Sequence, residues 1–280
     1  MSAFSSGAGE VPLTVTQPGS AVVFEWRELW ASRELLLLLM WRDVRVRYKQ
    51  TMIGVLWAVL QPLLAMVVIS AFFGRPAQLP SEGVPYPLFA YSGFLVWTFF
   101  SNALFSSSQS VVGSAPLITK VYFPRVLVPI AAIGARLVDF AIAFVLLAAL
   151  MAYYGVPVTW RVAALIPMIA LTMALALAVG MCLAALNVTY RDVNVALPHV
   201  MQLLLFATPV FYSATILPPR LKLAAQLNPL AVLIEGYRAA LFDRPVHWRA
   251  IGIEGVVTAV LIVCAVAVFR RMEEHFADVL

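Results

Sequence analysis

Charge is what this chain has least of. From Ile53 to Phe73 there is no Lys, Arg, Asp or Glu, and over all 280 residues only 12% are charged. A soluble domain carries about twice that share. With 62% hydrophobic residues and a mean hydropathy of +0.92, the excess apolar surface is more than one soluble core can hide. Cysteine is scarce too. Cys182 and Cys264 both lie inside apolar runs and read as helix-packing residues rather than as a disulfide or metal pair. His199, His247 and His275 each stand alone, without metal-ligand spacing. No G-x-x-x-x-G-K-S/T loop is present, so ATP binding by that device is excluded. H-E-x-x-H and G-x-S-x-G are absent as well. No cleavable signal peptide is evident, and no internal repeat of the secondary-transporter kind.

What is present is a series of spans. A helix of ~20 apolar residues crosses the hydrocarbon core of a bilayer. Six such segments are predicted, at about Ile53–Phe73, Leu88–Ser110, Leu137–Tyr154, Val162–Asn187, Val200–Leu217 and Ile251–Phe269. Apolar residues from Val126 onward extend the third inward. Arg136 and Asp139 then fall near headgroup depth, three apart on one face and able to pair. Pro62 and Pro209 lie within spans and are expected to kink them. The fold class is therefore an all-α integral membrane protein.

Arg27, Arg33, Arg42, Arg45, Arg47 and Lys49 precede the first span, and Arg270 and Arg271 follow the last. Basic flanks stay in the cytoplasm. Both termini are thus expected inside, and the net charge of +5 reads as this orientation signal rather than as a nucleic-acid surface. Residues 1–23, rich in Ser, Gly and Pro, read as a disordered cytoplasmic tail. Residues 24–50 are amphipathic, with Trp26, Trp30, Leu37, Met40, Val44 and Tyr48 at roughly helical spacing. They suit a helix lying in the membrane interface or, more simply, a basic flank that fixes orientation. Residues 51–280 are expected to form one six-span transmembrane domain.

Two shorter segments stand out. Gly113–Arg125 (GSAPLITKVYFPR) is cytoplasmic in this topology, and Pro116 and Pro124 bracket one short helical stretch. It mixes Leu117, Ile118, Tyr122 and Phe123 with Lys120 and Arg125. It suits docking into a groove on another protein, or capping the adjoining spans. Leu230–Phe242 is about 20 Å of helix, too short to cross and too apolar to float in water, so it reads as re-entrant or interfacial. Glu235 and Arg238 are three apart and able to pair, and Tyr237 lies beside them.

Within the spans, acidic residues are nearly missing, Asp139 and Glu254 sitting near span ends. Ion-coupled transport usually needs an ionisable site at the midplane, so any power source is expected elsewhere than in these spans. Polar and aromatic residues form helical stripes: Phe94, Trp97, Thr98, Ser101, Phe105 and Ser108 in the second span, and Gln202, Phe206, Pro209 and Ser213 in the fifth. In the first span Trp57 and Gln61 are four apart, and Tyr212 ends the fifth. Such stripes offer ring faces for stacking and hydroxyls for hydrogen bonds. The same residue types also pack helices in lipid.

Several motifs occur in a recognisable order. They are Asp43–Pro62 (DVRVRYKQTMIGVLWAVLQP), Trp97–Asn102 (WTFFSN), Leu117–Arg125 (LITKVYFPR), Tyr190–Asp192 (YRD), and Asn228-Pro229 with Ile234–Arg238 (IEGYR). Together they resemble the permeases of type-2 ABC exporters, and within them the subgroup exporting O-antigen, capsular polysaccharide or teichoic acid. The resemblance implies a homodimer of this chain in the bacterial inner membrane with two copies of a separate ATPase that binds Mg-ATP. The permease itself would be neither an enzyme nor a cofactor binder, and its cargo would be a glycan, lipid-linked in the expected case. It implies that Pro116, Leu117, Lys120, Tyr122, Phe123 and Arg125 form a coupling helix, with Arg191 and Asp192 as a second contact. Trp57, Gln61, Phe94, Trp97, Ser101, Phe105, Phe206 and Tyr212 are the candidate path residues, and Glu235, Tyr237 and Arg238 the candidate external gate. Export of lipid, drug or peptide is the nearest alternative. A membrane-embedded glycosyl- or acyltransferase would need converging acid and base groups that the sequence does not supply.

Overall fold

A computed structural model describes residues 30–49, 56–74, 81, 83–121, 123–273 and 276. The expected tail at 1–23 and the start of the amphipathic segment lie outside the described residues, as does Tyr122. Every regular element among the described residues is helical. Four are long and apolar enough to cross a membrane: Tyr86–Gly113, Leu127–Tyr153, Trp160–Thr189 and Trp248–Glu273.

Helix α1 (Arg33–Lys49) has Glu34 in its first turn and Arg47 and Lys49 in its last, charges that suit the helix dipole. It packs along α5 (Leu127–Tyr153) through buried Leu39 and Val44. Met40 lies so close to α5 that a β-carbon on Gly134 would meet its Cε at 2.6 Å. Leu37 and Trp30, expected in the same apolar stripe, point away and are exposed with Leu38 and Trp41. The seam follows the residues that fit α5, not every apolar residue of the helix.

Helix α2 (Leu56–Ile69) contains Pro62 and runs into a wider turn at Ser70–Gly74. Helix α3 (Tyr86–Gly113) is the central element and packs on α2, α5 and α6 (Leu165–Thr189). Small residues let α3 and α6 approach closely: a β-carbon on Gly180 would stand 2.6 Å from Ser107 Oγ. A single turn, α4 (Ala115–Ile118), follows α3 directly. A tight helical turn at Trp160–Ala164 leads into α6. Helix α10 (Trp248–Glu273) packs chiefly against α6.

The fifth predicted span differs most from expectation. Helix α7 runs over Asp192–Ala207 rather than Val200–Leu217, at ~24 Å of helix. Thr208 is extended, because Pro209 has no N–H and disfavours helix at the residue before it. Pro209 therefore ends the helix instead of kinking it, and the expected stripe through Pro209 and Ser213 does not exist. Helices α8 (Pro219–Gln226) and α9 (Pro229–Leu241) follow. The third span begins at Leu127, as the apolar run from Val126 suggested.

Two large buried clusters, and a small third one of Tyr86, Phe89 and Ala90, make up the core among the described residues. At one end Val111 of α3, Ile118 of α4, Leu127 of α5, Val188 of α6 and Phe269 of α10 pack together with Leu39 of α1. The rest of α3, α5 and α6 packs with α9 in the larger cluster.

Candidate functional site

Three features assemble the sequence-predicted residues. The first is the end of the bundle that carries α4. Ser114 closes α3, its N–H reaching the Ser110 and Val111 carbonyls, and α4 starts at once. Ile118 and Phe123 are each only 8% exposed. They are anchors of this end, not the protruding apolar surface expected from the sequence, because the short α4 covers the otherwise open ends of α3, α5 and α6. The exposed residues here are Pro116, Thr119, Lys120 and Val121, with Leu117 half-buried. Arg125 is engaged: it donates to the Glu273 carbonyl at 2.5 Å and faces that residue's carboxylate at 3.9 Å, tying the start of α5 to the end of α10. Tyr190, Arg191 and Asp192 are exposed where α6 turns into α7. Val121 is a surface residue that the sequence reading did not single out.

The second feature is a cavity of about 200 Å³ enclosed by the end of α1 and by α2, α3 and α5. Arg47, Arg136 and Asp139 line one side. Asp139 receives Arg47, Tyr48 and, at 3.2 Å, Arg136, so the expected Arg136–Asp139 pair is formed and extended. Arg136 Nε donates to Ser106 Oγ at 2.6 Å. Burial, and then the hydrogen bond and charge of Asp139, push the Tyr48 phenol up to about 12. Tyr48 therefore remains a donor at every physiological pH. Gln61, Thr98 and Asn102 also line the cavity, with the rings of Trp57, Phe99 and Phe140.

Trp57 and Gln61 thus face one space, as their spacing suggested. The face of α3 that joins them is Leu95, Thr98, Phe99 and Asn102. Of the predicted stripe it contains only Thr98. Trp97 is buried in the core, Phe94 stacks on Phe211 at 5.7 Å, and Ser101 and Phe105 are half-buried without lining the cavity. Several serines of α3 are spent within the helix: Ser92, Ser108 and Ser110 donate to the carbonyls of Phe89, Phe105 and Ser107. Phe206 is exposed on α7, and Tyr212 donates back to the Phe206 carbonyl at 2.9 Å.

The third feature is a knot around Arg238. Helix α9 starts at the side-chain cap of Asn228, which accepts from Leu230 N–H while its amide donates to Thr208 Oγ1. Arg238 is 4% exposed and lies 3.7 Å from the Phe89 ring centroid. It donates to the carbonyls of Pro209 at 3.0 Å, Val210 at 2.5 Å and Phe89 at 3.3 Å. The expected Glu235–Arg238 pair is absent: Glu235 is exposed on the outer face of α9, and the guanidinium is turned inward to the carbonyls freed where α7 stops. Tyr86 donates to the Phe211 carbonyl at 3.0 Å, so the segment after α7 is clasped from α3 and α9 together. Gly93 is required here, since a β-carbon would stand 2.5 Å from both Arg238 Nη2 and Val210 O. Tyr237 is buried, its hydroxyl 3.4 Å from Thr172 Oγ1 on α6. Beside the knot, Thr159 and Arg161 bind Asp243, joining the loops that precede α6 and α10.

Among the described residues no group of three or more His, Cys, Asp or Glu could hold a metal. Asp139 is engaged by Arg47, Tyr48 and Arg136. Residues 34–242 match the family described as ABC-2 type transporter, a stretch that includes α4, the cavity lining and Arg238. The chain belongs to the ABC-2 type transporter family. It is 30% identical over 256 residues to the O-antigen export system permease protein RfbA of Myxococcus xanthus, covering 90% of this chain and 97% of that protein. A permease of the same description from Klebsiella pneumoniae is 25% identical over 250 residues, covering 88% and 95%. The polysialic acid transport protein KpsM of Escherichia coli is 21% identical over 248 residues, covering 83% and 91%. This ABC-2 chain is a membrane permease, and its sequence contains no ATP-binding loop of its own.

Proposed function

We propose that this ABC-2 permease is the membrane-spanning half of an ATP-driven exporter that carries a lipid-linked polysaccharide across the cytoplasmic membrane. The observation that carries the reading is the near full-length similarity to permeases named for O-antigen export and polysialic acid transport. The protein acts as a homodimer with two cytoplasmic ATPase subunits, which bind Mg-ATP. In this reading α2 and α7 complete six spans with the four longer helices, α1 lies in the inner interface, and both termini are cytoplasmic. Helix α9 dips back from the outer side. Its burial against α3 and α6 supports that placement.

Coupling follows from covalent and polar connections. ATPase closure presses on Pro116, Lys120, Val121 and the Arg191 turn. Because α4 continues α3 and Arg125 binds Glu273, the push reaches α3, α5 and α10 as one body. The segment after α7 is fastened to α3 by the Arg238 knot, so motion of α3 is felt at the outer end of the path.

Deleting the gene in its own bacterium tests the reading. Surface polysaccharide is expected to vanish while lipid-linked glycan accumulates inside, and a plasmid copy is expected to restore export. Unchanged surface glycan, or loss of a lipid, drug or peptide from the exterior instead, would overturn the assigned cargo.

A further inference from the structure

The cavity between α1, α2, α3 and α5 has a composition that packing does not explain. Thr98 Oγ1 is buried there without a hydrogen-bond partner. Asn102, half-buried on its wall, makes no hydrogen bond to any described residue, and neither does Gln61 at its exposed lip. Buried or half-buried polar groups are normally paired. A space of about 200 Å³ in front of unpaired amides and a hydroxyl fits a polar guest.

Charge narrows the guest. Arg47 and Arg136 against Asp139 leave the site with one net positive charge. The Asp139 carboxylate is already turned on Arg47, Tyr48 and Arg136. Each guanidinium carries five N–H donors, and these contacts, with that from Arg136 to Ser106, use only some of them. A donor-rich, net-positive pocket suits a phosphate, which accepts several charge-assisted bonds at once. The location narrows it further. Trp57 and Gln61 form an exposed lip, and α2 continues from it into exposed Leu64, Val67 and Val68. On the other side α1 presents exposed Leu37, Leu38 and Trp41. A phosphate in the cavity could therefore keep a hydrocarbon chain on adjoining apolar surface, in contact with lipid.

We propose that this cavity holds the phosphate by which an exported glycan is joined to its lipid anchor, with Arg47 and Arg136 binding phosphate oxygens and Gln61, Thr98 and Asn102 binding the phosphate or the first sugar. The assignment rests on the export reading for the identity of the lipid. The phosphate chemistry rests on the cavity alone. Nearby Trp57 offers a ring face to that sugar.

The test is binding of radiolabelled polyprenyl phosphate to the purified permease–ATPase complex in mixed micelles, with unlabelled competitors. Polyprenyl phosphate is expected to compete at least tenfold better than polyprenol and at least tenfold better than phosphatidylglycerol. Arg47→Gln and Arg136→Gln are expected to weaken binding tenfold or more. Arg136→Gln also removes contacts that hold the helices, so Gln61→Leu and Asn102→Leu serve as independent variants. They leave the Arg47–Asp139–Arg136 contacts in place and are expected to lower affinity at least fivefold, with ATPase association and melting temperature unchanged. Equal competition by polyprenol would overturn the phosphate assignment. Equal competition by phosphatidylglycerol or inorganic phosphate would overturn the assignment to a lipid anchor of cargo. Full affinity in both leucine variants would overturn the site. Because binding is read without transport, a complex that binds polyprenyl phosphate through these residues yet exports no glycan in cells would overturn the export reading and leave this site standing.

Discussion

Gly93→Ala is the smallest change that reaches the outer knot. The new methyl would start 2.5 Å from Arg238 Nη2 and 2.5 Å from the Val210 carbonyl oxygen. Neither neighbour can swing aside. The guanidinium is held by three carbonyls and the oxygen belongs to the main chain. Overpacking of this kind costs about 1–3 kcal/mol. The strain is relieved if the segment after α7 lifts from α3, so most of the cost appears as a shift toward the opened form. Taking about 2 kcal/mol, at about 1.36 kcal/mol per tenfold, the opened population rises roughly thirtyfold. Val210 is fully buried, which makes Val210→Cys a reporter in a variant lacking Cys182 and Cys264. Its modification by an impermeant thiol reagent from outside is expected to accelerate by about that factor when Gly93→Ala is added. Arg238→Met is expected to act in the same direction. Its effect is smaller than three lost charged hydrogen bonds, because the buried cation and its desolvation cost also disappear. Glu235→Gln is expected to change nothing, since the carboxylate is exposed and makes no ion pair with Arg238. Gly252→Ala is the control, with nothing within 4 Å of the added carbon. The reasoning fails if Gly93→Ala labels at the reference rate, or if Gly252→Ala accelerates labelling equally.

In the same cysteine-free background, cysteines at Ser81, Thr159 and Lys222 are expected to react with the impermeant reagent from outside, and cysteines at Thr119 and Asn194 only after permeabilisation; external labelling of Thr119 would break the six-span topology. At the α4 end, Lys120→Glu with Val121→Asp is expected to weaken ATPase copurification at least tenfold without loss of insertion, whereas Ile118→Asp, which buries a charge, is expected to abolish stable permease; undiminished copurification would remove the docking role. Asp139→Asn is expected to lower the melting temperature and to bring the Tyr48 phenol part-way from about 12 toward its ordinary 10, since burial, the larger cause, remains; difference absorbance at alkaline pH reads this, and an unmoved titration would refute the contact. With the phenol raised in the folded chain, the stability it contributes is present below pH 10 and is lost as pH rises toward 12.

Much of this was legible in the residues. Long uncharged runs have one stable fate, helices that satisfy their own backbone in lipid, so the four long helices were readable from composition and spacing alone. The short helix before Phe242 was legible for the same reason, as was the Arg136–Asp139 pair, fixed by a spacing of three along one helix. Faces were less legible. Helical periodicity groups Phe94, Trp97, Ser101 and Phe105 on one stripe of α3. It cannot tell which neighbour that stripe meets, and α3, surrounded by other helices, has no single inside. The end of α7 was signalled by Pro209, yet a proline in an apolar run reads equally as a kink.

The sequence by itself determined the helical membrane class, the candidate orientation and the family, because these depend on patterns carried along one chain. Only the tertiary structure decided which polar groups meet. Arg47 and Tyr48 reach Asp139 across some ninety residues, and Arg238 forsakes a neighbour three positions away for carbonyls of Pro209, Val210 and Phe89. Local spacing proposes Glu235 as the partner. Burial overrules it, because a guanidinium turned inward meets the main-chain oxygens left free where α7 breaks, and those oxygens are brought there by packing alone.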